Sequence, residues 1–187
     1  LSTAELTRVT ISTSCRLPSS PRSIILAASR ERISVLPLPG TADTTRWRYD
    51  AARRVVGVIG PDPDGAGPRL HRATRNSYDL AGRLVRVERG TVLGPSDADW
   101  AAFTPLASVE SSYDALDRKT VERQRAGGVT YTATQYSYDT FGRLECTALR
   151  MNPATFGALP ASACLLGAEG TQGPDRITQY AYDTAGR

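Results

Sequence analysis

A six-residue phrase recurs through most of this chain and constrains its fold more than any other feature. It consists of Tyr-Asp, three further residues and Arg, and it occurs five times downstream of residue 46. The motif residues are Tyr49, Asp50, Arg54, Tyr78, Asp79, Gly82, Arg83, Tyr113, Asp114, Arg118, Tyr138, Asp139, Gly142, Arg143, Tyr182, Asp183, Gly186 and Arg187. Self-similarity of this kind predicts a repeat architecture, in which one small unit cannot bury its apolar face alone and stacks on its neighbours.

Each copy is predicted to form the corner of a β-hairpin. The Asp carboxylate at the first position of a type I turn accepts backbone N–H groups, and Gly three residues later takes the left-handed conformation at little cost. Two copies have Arg53 or Asp117 in place of that Gly. Asp tolerates the left-handed region fairly well, whereas Arg53 there costs roughly 1 kcal/mol, so we expect a modified first turn.

Strands are predicted on both sides of these turns. Aromatic residues alternate before three of the copies, as in Tyr136 and Tyr138, which places each pair on one face of a strand. Short β-branched or alternating runs follow four of the copies, at 55–59, 84–87, 119–122 and 144–147. The sequence therefore predicts an all-β fold of repeated antiparallel β-hairpins, with short helical excursions in the loops.

A repeated Tyr-Asp-x-x-Gly-Arg followed by a short apolar strand resembles the YD repeat of the RHS family, which includes bacterial polymorphic toxins, insecticidal toxin-complex subunits and the teneurin ectodomains. The resemblance covers residues 47–187. It implies part of a curled sheet that forms a hollow shell around a C-terminal toxin or effector until delivery. The implied partners are the remainder of the same shell and that effector, and the implied location is secreted or at the cell surface.

The resemblance implies containment and no chemistry within the repeats, so we expect a non-enzymatic protein with no cofactor. The acidic segment with which some RHS proteins release their toxin has no match here, and no toxin domain follows. The teneurin likeness leaves a second interpretation open. In it the chain is a cell-surface adhesion or carbohydrate-binding module, whose partner is a cell-surface glycan that stacks on tyrosines.

Residues 1–46 form a separate predicted segment, because they carry no copy of the phrase and are rich in Ser, Arg and Pro. We expect a poorly ordered or incomplete extension, with 32–36 as its best strand candidate. The apolar run at 24–28 is far too short to span a membrane, and no targeting signal is visible. The last copy stops at Arg187 with no strand after it, which indicates a fragment of a longer protein.

The net charge of +4 does not indicate a nucleic-acid binder. Residues 1–46 contain six arginines and three acids, a balance of +3, which leaves +1 for the repeat region. A nucleic-acid-binding protein concentrates basic charge on one face or stripe. We therefore expect no nucleic-acid partner.

The copies are 29, 35, 25 and 44 residues apart, so length varies in the connections. The run at 61–68 is dense in Pro and Gly and is predicted to be a loop at the rim. Ser96 is expected to cap a short helix through 100–103, with Asp99 completing a capping box, and Asn152-Pro153 is a second helix start. We expect both excursions to pack as apolar lids on the sheet; a partner-binding or cargo-facing role is the alternative.

No catalytic or metal-binding constellation is visible. His71 is the one histidine and is predicted to be a solvated loop residue. Cys15, Cys146 and Cys164 lack metal-ligand spacing, and Cys146 is expected to be a buried strand residue. A Cys146–Cys164 disulfide is possible in an exported protein, although connectivity cannot be derived from sequence.

The motif side chains are expected to have structural roles. The aspartates serve their own turns, and the arginines are predicted to pair with acids on the neighbouring hairpin. The tyrosines are predicted to stack between adjacent hairpins as cross-strand pairs. An open sheet edge in the isolated chain is expected to promote aggregation or oligomerisation.

Overall fold

The computed structural model describes residues 44–65 and 67–187, together with the backbone of residues 32–35. The predicted N-terminal extension lies mostly outside these residues. Within it, the strand candidate is present as Arg32–Val35, and the next strand starts at Thr44, before the predicted boundary at residue 47.

Ten strands form one antiparallel sheet, as the repeated hairpins predicted. They are β1 Arg32–Val35, β2 Thr44–Tyr49, β3 Val55–Ile59, β4 His71–Tyr78, β5 Leu84–Val92, β6 Thr104–Tyr113, β7 Lys119–Ala126, β8 Val129–Tyr138, β9 Leu144–Arg150 and β10 Arg176–Gln179. The strand order in the sheet is the order in the sequence, from β1 to β10. Each strand therefore pairs only with its neighbours along the chain, and the all-β prediction is confirmed.

The meander separates two kinds of connection. The motif copies connect β2 to β3, β4 to β5, β6 to β7 and β8 to β9, so these turns lie at one end of the strands, which we call the turn end. The other described connections, at 60–70, 93–103, 127–128 and 151–175, lie at the opposite end, the loop end. Length variation is thus confined to one end of the sheet.

Two helical excursions form at the predicted starts, although the first ends at Ala101, two residues before the predicted end at 103. The helix α1 spans Asp97–Ala101, and its N-cap Ser96 forms the predicted capping box with Asp99. A 3-10 helix spans Pro153–Thr155 with Asn152 as its N-cap. We call the segment 93–103 the short lid and the segment 151–175 the long lid.

All buried residues of β2–β10 lie on one face of the sheet, which we call the covered face. Cross-strand register aligns them, as in the pairs Ile59 with Ala73 and Ala133 with Arg150. The short lid packs Trp100 and Phe103 on Ile59, Ala73 and Val92. The long lid packs Ala163 and Cys164 on Cys146, Ala148 and Ile177. Both lids are the apolar covers that the sequence predicted.

The other face, which we call the open face, carries no fully buried side chain among the described residues. It presents half-buried Val58, Thr74, Val87, Val109 and Thr147. Its side chains are half-buried or exposed, as expected for the solvated side of an antiparallel sheet.

Candidate functional site

The candidate site is the row of Tyr-Asp-Arg turns along the turn end. In each turn the Asp carbonyl oxygen accepts the N–H of the residue three positions later, as in the 3.0 Å bond from Gly82 to Asp79. The Asp N–H donates to the carbonyl oxygen of the motif Arg, at 2.9–3.0 Å in all five copies. This closes a tight corner with the predicted Asp at its first position.

The motif Asp also holds the motif Arg of its own turn. In the turn at 138–143, Asp139 Oδ1 accepts the Arg143 N–H at 2.9 Å, and Asp139 Oδ2 accepts the Arg143 Nε–H at 2.7 Å. The same two bonds occur in the other four copies. The predicted pairing with an acid on the neighbouring hairpin is confirmed for Arg83, which also bonds Asp117 at 2.9 Å. It was wrong for the other four arginines, whose backbone and side chain meet both carboxylate oxygens of their own turn.

These bonds set the charge state of the turn carboxylates. The backbone N–H of the motif Arg is the main cause of the lowered pKa of Asp50, Asp114 and Asp183, and the Arg83 side chain is the main cause for Asp79. Partial burial raises the pKa of Asp139, but the hydrogen bonds from Arg143 outweigh it and the pKa lies below its usual range. All five carboxylates are thus held in the ionised form.

Four of the five motif arginines also reach the tyrosine of the next copy. The guanidinium carbon lies over the ring at 4.6 Å for Arg54 and Tyr78 and at 4.5 Å for Arg118 and Tyr138. The pairs Arg83 with Tyr113 and Arg143 with Tyr182 lie at 5.2 and 4.5 Å. Such cation–π contacts are worth about 0.5–1 kcal/mol at exposed sites.

The tyrosine hydroxyl completes the link between neighbouring hairpins. It donates to the carbonyl oxygen of the residue after the preceding motif Arg, as from Tyr138 to Lys119 at 2.8 Å. The other three bonds run from Tyr78 to Val55, Tyr113 to Leu84 and Tyr182 to Leu144, at 2.8–3.0 Å. We call the repeated Arg, Tyr and carbonyl contacts the turn ladder.

The prediction that the motif tyrosines stack on one another between adjacent hairpins was wrong. Among the described residues, the one aromatic ring pair is Trp100 with Phe103, whose centroids are 5.6 Å apart. The motif tyrosine rings contact guanidinium groups instead. Sequence reasoning missed the guanidinium as the partner of the ring. It also missed the four carbonyl oxygens that accept from the tyrosine hydroxyls, because a backbone acceptor leaves no signature in residue identity.

The position before the motif Arg has a left-handed backbone in every copy. Its φ is +86° at Gly82, +82° at Gly142 and +78° at Gly186, and it is +64° at Arg53 and +61° at Asp117. The first turn is therefore not modified, contrary to expectation, since Arg53 adopts the conformation that Gly has elsewhere. Asp117 gains a partner there, because Arg83 Nη1 donates to it at 2.9 Å.

Several chemistry-bearing side chains lie away from the ladder. His71 was predicted to be a solvated loop residue, which is wrong: it begins β4, is 9% exposed and places Nδ1 3.1 Å from the Gly60 carbonyl oxygen. The reason is its register opposite Val92 on the covered face. Cys146 is buried in β9 as predicted, and it forms a disulfide with Cys164 of the long lid.

A buried ion pair anchors the long lid and was missed by sequence reasoning. Arg150 is 2% exposed, and its Nη1 donates to Asp175 Oδ2 at 2.6 Å. Burial raises the pKa of Asp175, but hydrogen bonds from the Met151 N–H, Arg150 and the Gly167 N–H outweigh it and lower the pKa overall. Arg150 also donates to Gln135 and to two lid carbonyls, so both charges are well satisfied.

Two kinds of feature are absent from the part of the chain that the structure describes. No group of three or more His, Cys, Asp or Glu side chains is arranged to hold a metal ion. No helix there has both the length and the apolar character needed to cross a membrane.

No protein-family model matches the chain, and no curated protein matches it.

Proposed function

We propose that this chain is a non-enzymatic wall segment of an RHS-type shell, which encloses a C-terminal toxin or effector and helps to deliver it. The observation that carries the proposal is the turn ladder. It joins successive hairpins by the same cation–π contact and the same hydroxyl-to-carbonyl bond at four consecutive steps.

The strand order supports the same role. A sheet in which each strand pairs only with its sequence neighbours behaves as a one-dimensional array, since every added hairpin contacts only the one before it. Such an array can be lengthened by adding further hairpins that make the same contacts. A wall around a polypeptide requires that property, whereas a single binding pocket does not.

The hydrogen bonds and ring contacts of the motif side chains support a role without catalysis. The five aspartates accept hydrogen bonds within their turns, and four of the five arginines cover a tyrosine ring. Each side chain therefore has a sufficient structural task. We accordingly propose no cofactor and no nucleic-acid partner; the partners are the remainder of the shell and the enclosed effector.

The disulfide supports a secreted or cell-surface location. Cys146 and Cys164 are linked in the structure, and disulfides form and persist in oxidising compartments. Export also agrees with a shell that carries its effector out of the cell.

The rival carbohydrate-binding role is less well supported by the turn geometry. A sugar ring stacks on an exposed aromatic face, but the rings of Tyr78, Tyr113, Tyr138 and Tyr182 lie under guanidinium groups and their hydroxyls are bonded. A glycan would have to displace these contacts.

The two roles are separated by Tyr138→Ala and Tyr182→Ala, assayed by thermal melting and by binding to a glycan array. A wall segment loses stability in both variants and gives no glycan signal in the parent chain. Glycan binding by the parent, lost in variants that melt normally, would instead establish the adhesion role.

The shell itself is tested by sequencing the DNA that flanks this reading frame. Further in-frame Tyr-Asp-x-x-Gly-Arg copies, a core segment and a variable C-terminal domain are expected. Stop codons close to both ends of the frame would remove the shell proposal.

A further inference from the structure

The covered face carries a charged strip between its two lids. Strands β4 to β7 contribute four guanidinium groups and two carboxylates to it, from Arg75, Arg86, Glu88, Glu110, Arg123 and Arg125. Register places Arg75, Glu88, Ser108 and Arg125 in one cross-strand row, and Arg86, Glu110 and Arg123 in the next. We call these six charged residues the arginine strip.

The arginine strip has an excess of positive charge, since four cations and two anions leave a balance of +2. Glu88 is 3% exposed, and its oxygens lie 2.6 Å from Arg75 Nε and 2.9 Å from Arg86 Nη2. Glu110 lies 3.2 Å from Arg125 Nη1 and 3.6 Å from Arg86 Nε. The two carboxylates are thus shared among three of the arginines.

Arg123 is the fourth cation and is the least neutralised. Its Nε donates to the Phe156 carbonyl oxygen at 3.1 Å, and its two Nη atoms have no hydrogen-bond partner among the described residues. The strip as a whole has local positive charge, although the repeat region carries a balance of only +1.

The strip is accessible from solvent. The side chains of Arg75, Arg86 and Arg125 are 36%, 44% and 38% exposed. A depression of about 510 Å³ adjoins Arg125, with Glu110 and Arg123 beside that residue and Pro153 and Phe156 of the long lid also lining it. The lid thus forms a wall beside exposed guanidinium groups.

We propose that the arginine strip binds an extended acidic peptide segment, and that the covered face is the side of the wall that meets the enclosed polypeptide. This inference rests on the proposed function. Arg123 and Arg125 are two residues apart on β7, so their side chains are spaced by about 6.6 Å along the strand. Carboxylates on alternate residues of an extended peptide have the same spacing. One can pair with both Nη atoms of Arg123 in bidentate geometry, and the other with Arg125, whose Nη1 and Nη2 also donate to Glu110 and to the Gly128 carbonyl oxygen.

A peptide fits this surface better than a nucleic acid does. Glu88 and Glu110 interrupt the cations in both cross-strand rows and would repel a continuous line of phosphates. Single-stranded nucleic acids also require exposed aromatic platforms for their bases. Phe103 and Phe156, two aromatic residues in contact with the strip, are 7% and 4% exposed, and Phe103 lies under Arg75.

The test uses a fluorescein-labelled decapeptide of alternating Glu and Thr and measures fluorescence anisotropy with the full chain at low salt. Binding is expected, and the double variant Arg123→Gln/Arg125→Gln should weaken it about tenfold or more, because it loses charge-assisted bonds. Arg89→Gln is the matched control, because Arg89 is exposed on the open face opposite Ala107. It should leave the affinity unchanged.

A gain of affinity provides a second readout that does not depend on damaging the fold. Glu110→Gln removes one of the two anions and should tighten binding of the peptide about threefold at low salt. Thermal melting of every variant reports whether the sheet is intact.

The inference is overturned if the parent chain does not bind the peptide, if the folded double variant binds it equally well, or if Glu110→Gln has no effect. Tighter binding of an oligothymidylate than of the peptide would also overturn it. These outcomes leave the shell proposal standing when the flanking DNA encodes further copies. Absence of those copies removes the shell proposal, whatever the peptide does.

Discussion

The residue before the motif Arg differs among the turns, yet its backbone conformation does not. Gly, Asp and Arg all have φ between +61° and +86° there. A Cβ added at Gly82 or Gly142 would lie 3.6 or 3.5 Å from the guanidinium of the preceding motif Arg. Asp117 places its carboxylate at the equivalent site and binds Arg83. Its ion pair therefore offsets part of the cost of a left-handed non-glycine residue.

The tyrosine hydroxyl is the part of the turn ladder that can be removed alone. Tyr138→Phe deletes the 2.8 Å bond to the Lys119 carbonyl and keeps the ring under Arg118. We expect the free energy of unfolding to fall by about 1 kcal/mol, measured by urea denaturation. Tyr131→Phe is the control, since Tyr131 is 62% exposed, and it should have no measurable effect. Equal stability of Tyr138→Phe and the parent would show that the hydroxyl bond contributes nothing.

Sequence reasoning succeeded at this scale where both partners are local. The Asp-to-backbone bonds of each turn and the Ser96 capping box join residues at most four positions apart. It failed where the partner depends on register, as for His71, whose burial follows from lying opposite Val92. Sequence reasoning missed the Arg150–Asp175 pair for a similar reason, because the two residues meet only after the long lid has folded back on the sheet.

At the scale of elements, the two lids are attached to the sheet in different ways. The short lid relies on packing of Trp100 and Phe103, reinforced by an ion pair between Arg48 and Asp97 at 2.5 Å. The long lid has the Arg150–Asp175 pair and the disulfide. The positions of both lids were predicted from turn formers and capping residues, but their attachments were not.

Gly57 allows the short lid to approach the sheet. A Cβ at this position would lie 2.5 Å from Cη2 of Trp100, which is too close for any contact between carbon atoms. We expect Gly57→Ala to destabilise the protein by about 1–3 kcal/mol in denaturant titrations. The penalty should vanish in a Trp100→Ala background, because the two residues are in contact.

Gly157→Ala is the matched control for this prediction. Gly157 lies in the long lid, and a Cβ there would meet nothing within 4 Å. Its substitution should leave stability nearly unchanged. A similar loss in Gly157→Ala and Gly57→Ala would show that the effect is not due to Trp100.

The disulfide restricts the unfolded chain over a separation of 18 residues. Its removal by Cys146→Ser/Cys164→Ser should lower stability by about 3 kcal/mol. The change should appear as a lower melting temperature and as faster amide exchange in 151–175. The parent chain in reductant should show the same shift, whereas the double variant should not respond to reductant. A parent that melts identically with and without reductant would contradict the prediction.

At the scale of the whole molecule, the turn carboxylates act as a set. The pKa of each of Asp50, Asp79, Asp114, Asp139 and Asp183 lies below its ordinary value of 3.8 in the folded protein. The unfolded chain therefore binds protons more readily than the folded chain as the pH falls. The stability that these groups supply is complete above the ordinary pKa and is lost as the pH falls through the folded values.

Melting temperature should consequently be flat from neutral pH to about pH 5 and should fall steeply below about pH 4. Asp139→Asn should lower the plateau and make the acid slope shallower, because one of the linked groups no longer titrates. Glu169→Gln, at an exposed position of the long lid, should leave the curve unchanged. If the acid slope is the same in Asp139→Asn and in the parent, the turn carboxylates are not the cause of the loss of stability at low pH.

Architecture at this scale could be predicted because the repeat determines it. Five turns of one kind at the ends of alternating strands give an antiparallel meander. The choice of covered face could not be predicted, since it depends on which way the lids at 93–103 and 151–175 fold. The small alanines and glycines beneath the lids, such as Ala133 and Ala148, carry little hydrophobic pattern of their own.

The separation of the turn end from the loop end has an evolutionary consequence. An insertion at the turn end would break two bonds to the motif Asp and one step of the ladder at once. Connections at the loop end already range from 127–128 to 151–175 without disturbing strand order. New sequence can therefore enter this lineage at one margin of the sheet only, and homologous chains should align without gaps through every Tyr-to-Arg phrase while differing freely in length between them.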